Sequence, residues 1–166
     1  MIAVTPCNYA SSLDFSTRTR LPFHFRTRTI AGITPKLADV LQKNAGLSGA
    51  TQLIAHNAHG AAIKADPTSC FVNRTPHLVF GIGAGVAPPA TGSGPEMREA
   101  AQFSDRLADS LKAEGLSMDS AYMNFSPPDE CDTLLFYGKE TTERLKIMKK
   151  KYDPQNVFFK AYPTLV

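Results

Sequence analysis

Four groups of residues in this chain of 166 have types and spacings suited to chemistry. Tyr122-Met123-Asn124 sets a phenol and an amide two residues apart. The phenol can exchange a proton, and the amide can both donate and accept in a polar site. His56-Asn57-Ala58-His59 places two imidazoles three residues apart, which would grip a metal only from one helix face with a third ligand nearby. The segment reads instead as the end of a strand, so no metal is expected. Gly81-Ile82-Gly83-Ala84-Gly85 follows a strand and would let a backbone approach a pyrophosphate, but the dinucleotide fingerprint needs a glycine at 86 or 88 and a helix opening there. Val86, Pro88 and Pro89 occupy that stretch, and the expectation is a glycine-rich sheet end packed closely under a helix. Arg18, Arg20, Arg26 and Arg28 alternate with Phe23 and Phe25, a mixture that nucleic-acid platforms use. On an extended chain, however, rings and cations fall on opposite faces. The expectation is one buried face, one solvated arginine face and no nucleic-acid partner.

Nucleophilic catalysis finds no support. There is no Gly-x-Ser-x-Gly elbow. Cys7, Cys70 and Cys131 are odd in number and far apart, which reads as free thiols rather than a disulfide framework or a metal pair. Asn73-Arg74-Thr75 and Asn124-Phe125-Ser126 are each followed by proline, a poor shape for glycosylation.

The elements that must position these groups follow from periodicity. Thr17, Thr19, Phe23, Phe25, Thr27 and Thr29 alternate with Arg18, Arg20, His24, Arg26 and Arg28, predicting a strand from 17 to 30 interrupted at Pro22. Thr34-Pro35 supplies an N-cap and a proline at the first helical position, and Leu37, Val40 and Leu41 recur at helical spacing up to Asn44 and Gly46. Thr51–Ala55, Cys70–Asn73 and His77–Ile82 read as further strands, the last running into a loop from Gly83 to Gly94. From Pro95 to Lys112 the stripe Met97, Ala100, Ala101, Ser104, Leu107, Ala108 and Leu111 predicts a helix ended by Gly115. A short strand at Tyr122–Phe125 and a helix from Lys139 to Lys151, with Leu145, Met148 and Tyr152 on one side and Asp153-Pro154 as its stop, complete the chain. The fold class is α+β: an antiparallel sheet of about four strands with helices on one face, then a C-terminal helix and extended tail.

Composition narrows the class. With 43% hydrophobic and 20% charged residues and a net charge of +3, the chain has the profile of a soluble globular protein. No apolar run approaches the roughly 18 residues of a membrane span, and the start, Met1 to Cys7, lacks the basic region of a signal peptide. A cytoplasmic location is the default expectation, with no membrane partner.

The order Tyr122-x-Asn124, Tyr137-Gly138, Glu143-Arg144-Leu145 and Lys150-x-Tyr152-Asp153-Pro154-x-Asn156-Val157-Phe158 resembles the C-terminal segment of the berberine-bridge-enzyme-like FAD-linked oxidases. His59-Gly60-Ala61-Ala62 followed by Phe71-Val72-Asn73-Arg74 is similar to that family's glycine-alanine strand and its Phe-x-x-Arg strand. The resemblance spans roughly residues 20 to 162. It implies a division into an irregular lead-in (1–16), a substrate-domain-like region (17–118) and a berberine-bridge-like segment (119–166), with the tail anchored in a core by Val157 and Phe158. It further implies Tyr122 and Asn124 beside the isoalloxazine of FAD, and His59, Arg74 and Phe125 toward a small-molecule substrate. Where many members have a tyrosine base, this chain has Phe125, so the catalytic residue stays unassigned. The family's FAD-binding domain is expected to be absent from this chain, leaving a truncated or partner-dependent portion that needs a flavin-binding domain or a second copy. The reading of another class is a flavin-free isomerase, cyclase or small-molecule binding module.

Overall fold

The computed structural model describes residues 22–44, 50–86, 93–127, 130, 132–160 and 165. The expected lead-in, Arg18, Arg20, Gly46, the Pro88-Pro89 loop, Cys7 and Cys131 lie outside them.

Four antiparallel strands form one sheet in the order β2-β3-β1-β4: β1 is Phe23–Ile30, β2 Ala50–Ala58, β3 His77–Gly85 and β4 Ser117–Met118. Two helices, α1 (Pro35–Lys43) and α2 (Pro95–Ala113), cover one face. Their ends obey local rules. The Thr34 side chain accepts from Leu37 N at 3.2 Å, with Pro35 at the first position of α1. At the end of α2, Gly115 takes a φ of 67°, Leu116 N donates to the Leu111 carbonyl and Gly115 N to that of Lys112, a Schellman closure that a residue with a Cβ would strain. Between helices and sheet lies the core: Leu37 and Val40 from α1; Phe103, Leu107 and Leu111 from α2; Ile30, Phe80 and Ile82 from the strands.

The register corrects the expected solvated arginine face. Arg26 pairs with Ile82 and Arg28 with Phe80 across the β1–β3 ladder, so the arginines share the side that the helices cover. Their side chains are 13% exposed, and they are ion-paired: Arg26 to Asp105 of α2 and at 3.6 Å to Glu130, Arg28 to Glu130 at 2.7 Å. His24, on the same side, is hydrogen-bonded to the buried Ser104 hydroxyl at 2.6 Å. Alternation separates two faces but does not say which one is covered. Long arginine stems pack under a helix while carboxylates meet their heads.

The glycines of β3 also differ from expectation. Gly81, Gly83 and Gly85 point away from the helices, and the rings of Phe23 and Phe25 lie across them. A Cβ on Gly81 would stand 2.6 Å from Phe25 Cε1, and one on Gly83 2.7 Å from Phe25 Cε2. The glycine run is a bed for aromatic rings.

After β4 the chain makes a 3-10 turn at Met123–Phe125 and then α3, Thr133–Tyr152. Asp132 caps α3 by accepting from Leu134 N and Leu135 N. Gly138, at φ 69° and ψ 171°, divides it into two helical pieces; the expected start at Lys139 marks the second piece and misses the first. Cys70–Asn73 is not a strand: Phe71 N donates to Ser69 Oγ, the Asn73 amide to Ser120 Oγ, and Arg144 of α3 to the Pro67 and Ser69 carbonyls. Side chains, rather than a ladder, satisfy that segment. Past α3, Asp153 accepts from Val157 N and Phe158 N and pairs with Lys149, contacts led by Lys149 that hold its carboxyl below the ordinary carboxylate range. The tail is thus folded on itself, but Val157 and Phe158 are 65% and 71% exposed, correcting their expected place in a core.

Placing a methyl at the middle glycine tests the aromatic bed. Gly83→Ala is expected to lower stability by about 1–3 kcal/mol through overpacking, read from the denaturant midpoint. An unchanged midpoint would contradict rings lying over the strand.

Candidate functional site on the open sheet face

Opposite the helices, the sheet presents Phe23, Phe25, Thr27 and Thr29 from β1, Gln52, Ile54 and His56 from β2, and the glycines of β3. The turn that carries Tyr122, Asn124 and Phe125 lies on this face. It was expected as a strand. It is instead a 3-10 turn because local bonds run from Phe125 N to the Tyr122 carbonyl and from Ser126 N to that of Met123, at 3.2 and 3.1 Å, while the N–H and carbonyl of Tyr122 meet one side chain of β1.

That side chain is Thr27, fully buried. Its hydroxyl accepts from Tyr122 N at 2.8 Å and donates to the Tyr122 carbonyl at 3.0 Å. Ser126 Oγ sits 3.2 Å from both the Thr27 hydroxyl and the Tyr122 carbonyl. One threonine therefore fixes the backbone of Tyr122 in both directions. Nothing in the sequence analysis singled it out; the only signal was its place among the alternating threonines of β1.

From this anchor the aromatic geometry follows. The Phe125 ring centroid lies 5.5 Å from that of Phe25, 5.6 Å from Tyr122 and 6.3 Å from His56, and Phe25 continues to Phe23 at 5.8 Å. These are separations at which tilted rings attract. The Asn124 amide donates to the Tyr122 hydroxyl at 3.0 Å. Phe23, Phe25, Ile54, His56, Asn124 and Phe125 line an open groove, with Asn124 and Phe125 exposed.

The structure thus brings together Tyr122, Asn124 and Phe125 and adds His56, Phe23 and Phe25 to them. It sets the other two candidates apart. His59 is exposed at the start of a 3-10 helix, Gly60–Ile63, and does not line the groove. Arg74 donates to the Ala62 carbonyl at 2.8 Å and lays its guanidinium 4.9 Å from the Phe71 ring centre, beside a different depression shared with Asp66 and Arg144.

For a flavin, this face suits one part of the molecule. A flat, ring-lined groove flanked by an amide and a phenol fits the planar isoalloxazine, which stacks and offers both donors and acceptors. Among the described residues the glycine run offers the diphosphate no cradle, since the space over Gly81, Gly83 and Gly85 is filled by phenylalanine rings.

Residues 121–161 match the family described as berberine and berberine like. The FAD-linked oxidoreductase aurO of Gibberella zeae is 38% identical over 100 residues, covering 60% of this chain and 18% of its own length. A chitooligosaccharide oxidase structure superposes with a TM-score of 0.62 at 21% identity over 81% of this chain and 31% of that one, a likeness of fold alone. The chain therefore spans under a third of either protein.

Thr27→Val tests the anchor. Ser126 still reaches the Tyr122 carbonyl, so the substitution orphans chiefly the Tyr122 N–H, at an expected cost of about 1–3 kcal/mol and with faster exchange of that amide by NMR; Thr27→Ser retains protection. Unaltered protection in the valine variant would contradict the anchor. Motif and matched segment agree: residues 121–161 match the berberine and berberine like family, and over 100 residues the chain is similar to an FAD-linked oxidoreductase.

Proposed function

We propose that these residues form the substrate-side wall of an FAD-linked oxidoreductase, with the open aromatic face turned toward the isoalloxazine of a flavin bound by a domain outside the 166 residues. The observation that carries this reading is the turn at Tyr122–Phe125, pinned to β1 and exposing an amide, a phenol and a ring over Phe25. The name of the Gibberella zeae relative supports the cofactor.

Bound FAD would supply the hydride acceptor. The residues here would do the rest. Phe125 and Phe25 exclude water from one side and give a substrate ring an apolar surface. Asn124 orients the Tyr122 hydroxyl, and that hydroxyl and the His56 imidazole are groups of this face able to exchange a proton; Phe125 cannot. An alcohol, an amine or a ring-closing substrate of natural-product metabolism fits a groove with this balance of rings and few polar groups. Exposed Ile147, Tyr152, Val157, Phe158 and Phe159 on α3 and the tail support a partner surface, because many exposed large apolar side chains mark interaction sites. We assign that surface to the flavin-binding domain.

The phenylalanine at position 125 favours a second reading, a flavin-free isomerase, cyclase or binding module, since it removes a proton-exchanging group from the turn. A chimera separates the two: residues 22–160 replacing the corresponding stretch of the Gibberella zeae relative. The expected result is a chimera that retains FAD and whose visible flavin spectrum shifts in Asn124→Ala and Phe125→Ala but not in Lys36→Ala, whose side chain lies on the helix side beside Glu114. A folded chimera whose flavin does not respond to residues 124 and 125 would overturn the first reading.

A further inference from the structure

We propose that a second cavity, behind the Tyr122–Asn124 turn, is a binding site for a monocyclic phenol. Its volume is about 140 Å³. A cavity of roughly 150 Å³ is known to admit benzene, whereas drug-sized ligands need about 300–1,000 Å³. One ring fits; two fused rings do not.

The walls agree with an aromatic guest. Phe71, Val79, Ala121, Met123 and Phe136 present carbon and sulfur. Several polar side chains among the lining residues already have partners: His77 Nδ1 lies 2.6 Å from the Thr75 carbonyl, and the Asn73 amide donates to Ser120 Oγ at 2.9 Å. Water needs two to four polar partners to settle in such a space, and the walls offer few.

One polar group stands out. The Tyr137 hydroxyl donates to Met123 Sδ at 3.2 Å, and a thioether is a weak acceptor. A ligand hydroxyl is a better one, and a methionine side chain has the rotamer freedom to yield its place. Burial raises the Tyr137 phenol above its ordinary range, which keeps it a donor. A ring with one hydroxyl therefore satisfies both the apolar walls and this weakly satisfied donor, which selects a phenol over a hydrocarbon. Entry is available where the lining residues Cys70 and Asn124 are exposed. Asn124 also lines the open groove, so the turn is the partition between the two spaces.

The test uses the full chain, labelled with ¹³C at its five methionine methyls, titrated with 4-methylphenol; Met123→Leu assigns the Met123 signal. The expected result is a saturable shift of Met123 with Met148, exposed on α3, unmoved, and no response to 2-naphthol. Ala121→Leu fills the cavity, and Cys70→Phe blocks it from an exposed position that folding tolerates should the leucine crowd the chain; each is expected to weaken binding by about tenfold or more. No saturable Met123 shift in the native chain, a response to 2-naphthol equal to that to 4-methylphenol, or undiminished binding in a folded blocked variant overturns the proposal. Flavin takes no part in the measurement, so its outcome is separate from that of the chimera.

Discussion

The hydroxyl of Thr27 ties the C-terminal turn to the sheet. It meets the N–H and the carbonyl of Tyr122 at 2.8 and 3.0 Å from a fully buried position, where an unmet backbone group costs about as much as a typical point mutation, 1–3 kcal/mol. Everything exposed on the turn depends on that fixed point. With Tyr122 held, Phe125 reaches over Phe25 and Asn124 comes within hydrogen-bond distance of the Tyr122 phenol. Released, those side chains would be polar and aromatic groups on a free loop.

Two other constraints keep the anchor in place. From the helix side, Arg26 and Arg28 reach Glu130, which follows the turn, while Arg26 also meets Asp105 of α2. Largely buried ion pairs contribute little net stability because desolvation offsets attraction, so their consequence here is positional: they fix where the chain leaves the sheet. On the other side, the absence of Cβ atoms at Gly81, Gly83 and Gly85 lets Phe23 and Phe25 lie against β3. The ladder thereby gives up side-chain packing of its own and gains a flat aromatic surface for the turn to cover.

Periodicity and capping made much of the fold legible. Thr34-Pro35 and Gly115 marked helix ends that the structure places within a residue or two, and the stripe from Met97 to Leu111 is the buried side of α2. The resemblance to the berberine-bridge-like segment was legible in the spacing of Tyr122, Asn124 and Tyr152-Asp153-Pro154, which lie in the stretch that the family model matches. What periodicity lacks is depth. It separated the arginine face of β1 from the threonine face but took the arginines as wet, because a guanidinium under a helix and one in water have the same spacing. It read Tyr122–Phe125 as a strand, since nothing local reveals a partner 95 residues earlier. The resemblance placed Val157 and Phe158 in a core, whereas the described residues leave both exposed. His56 joined the site once register put it on the open face.

The turn at Tyr122–Phe125 docks on the open sheet face and completes an aromatic site there. Nuclear Overhauser contacts of the Phe125 ring in the isolated, selectively labelled chain measure that docking directly. The expected result is cross-peaks from Phe125 to Phe25, Tyr122 and His56. A Phe125 ring without contacts to β1 and β2, or one in contact with α3 instead, would contradict it.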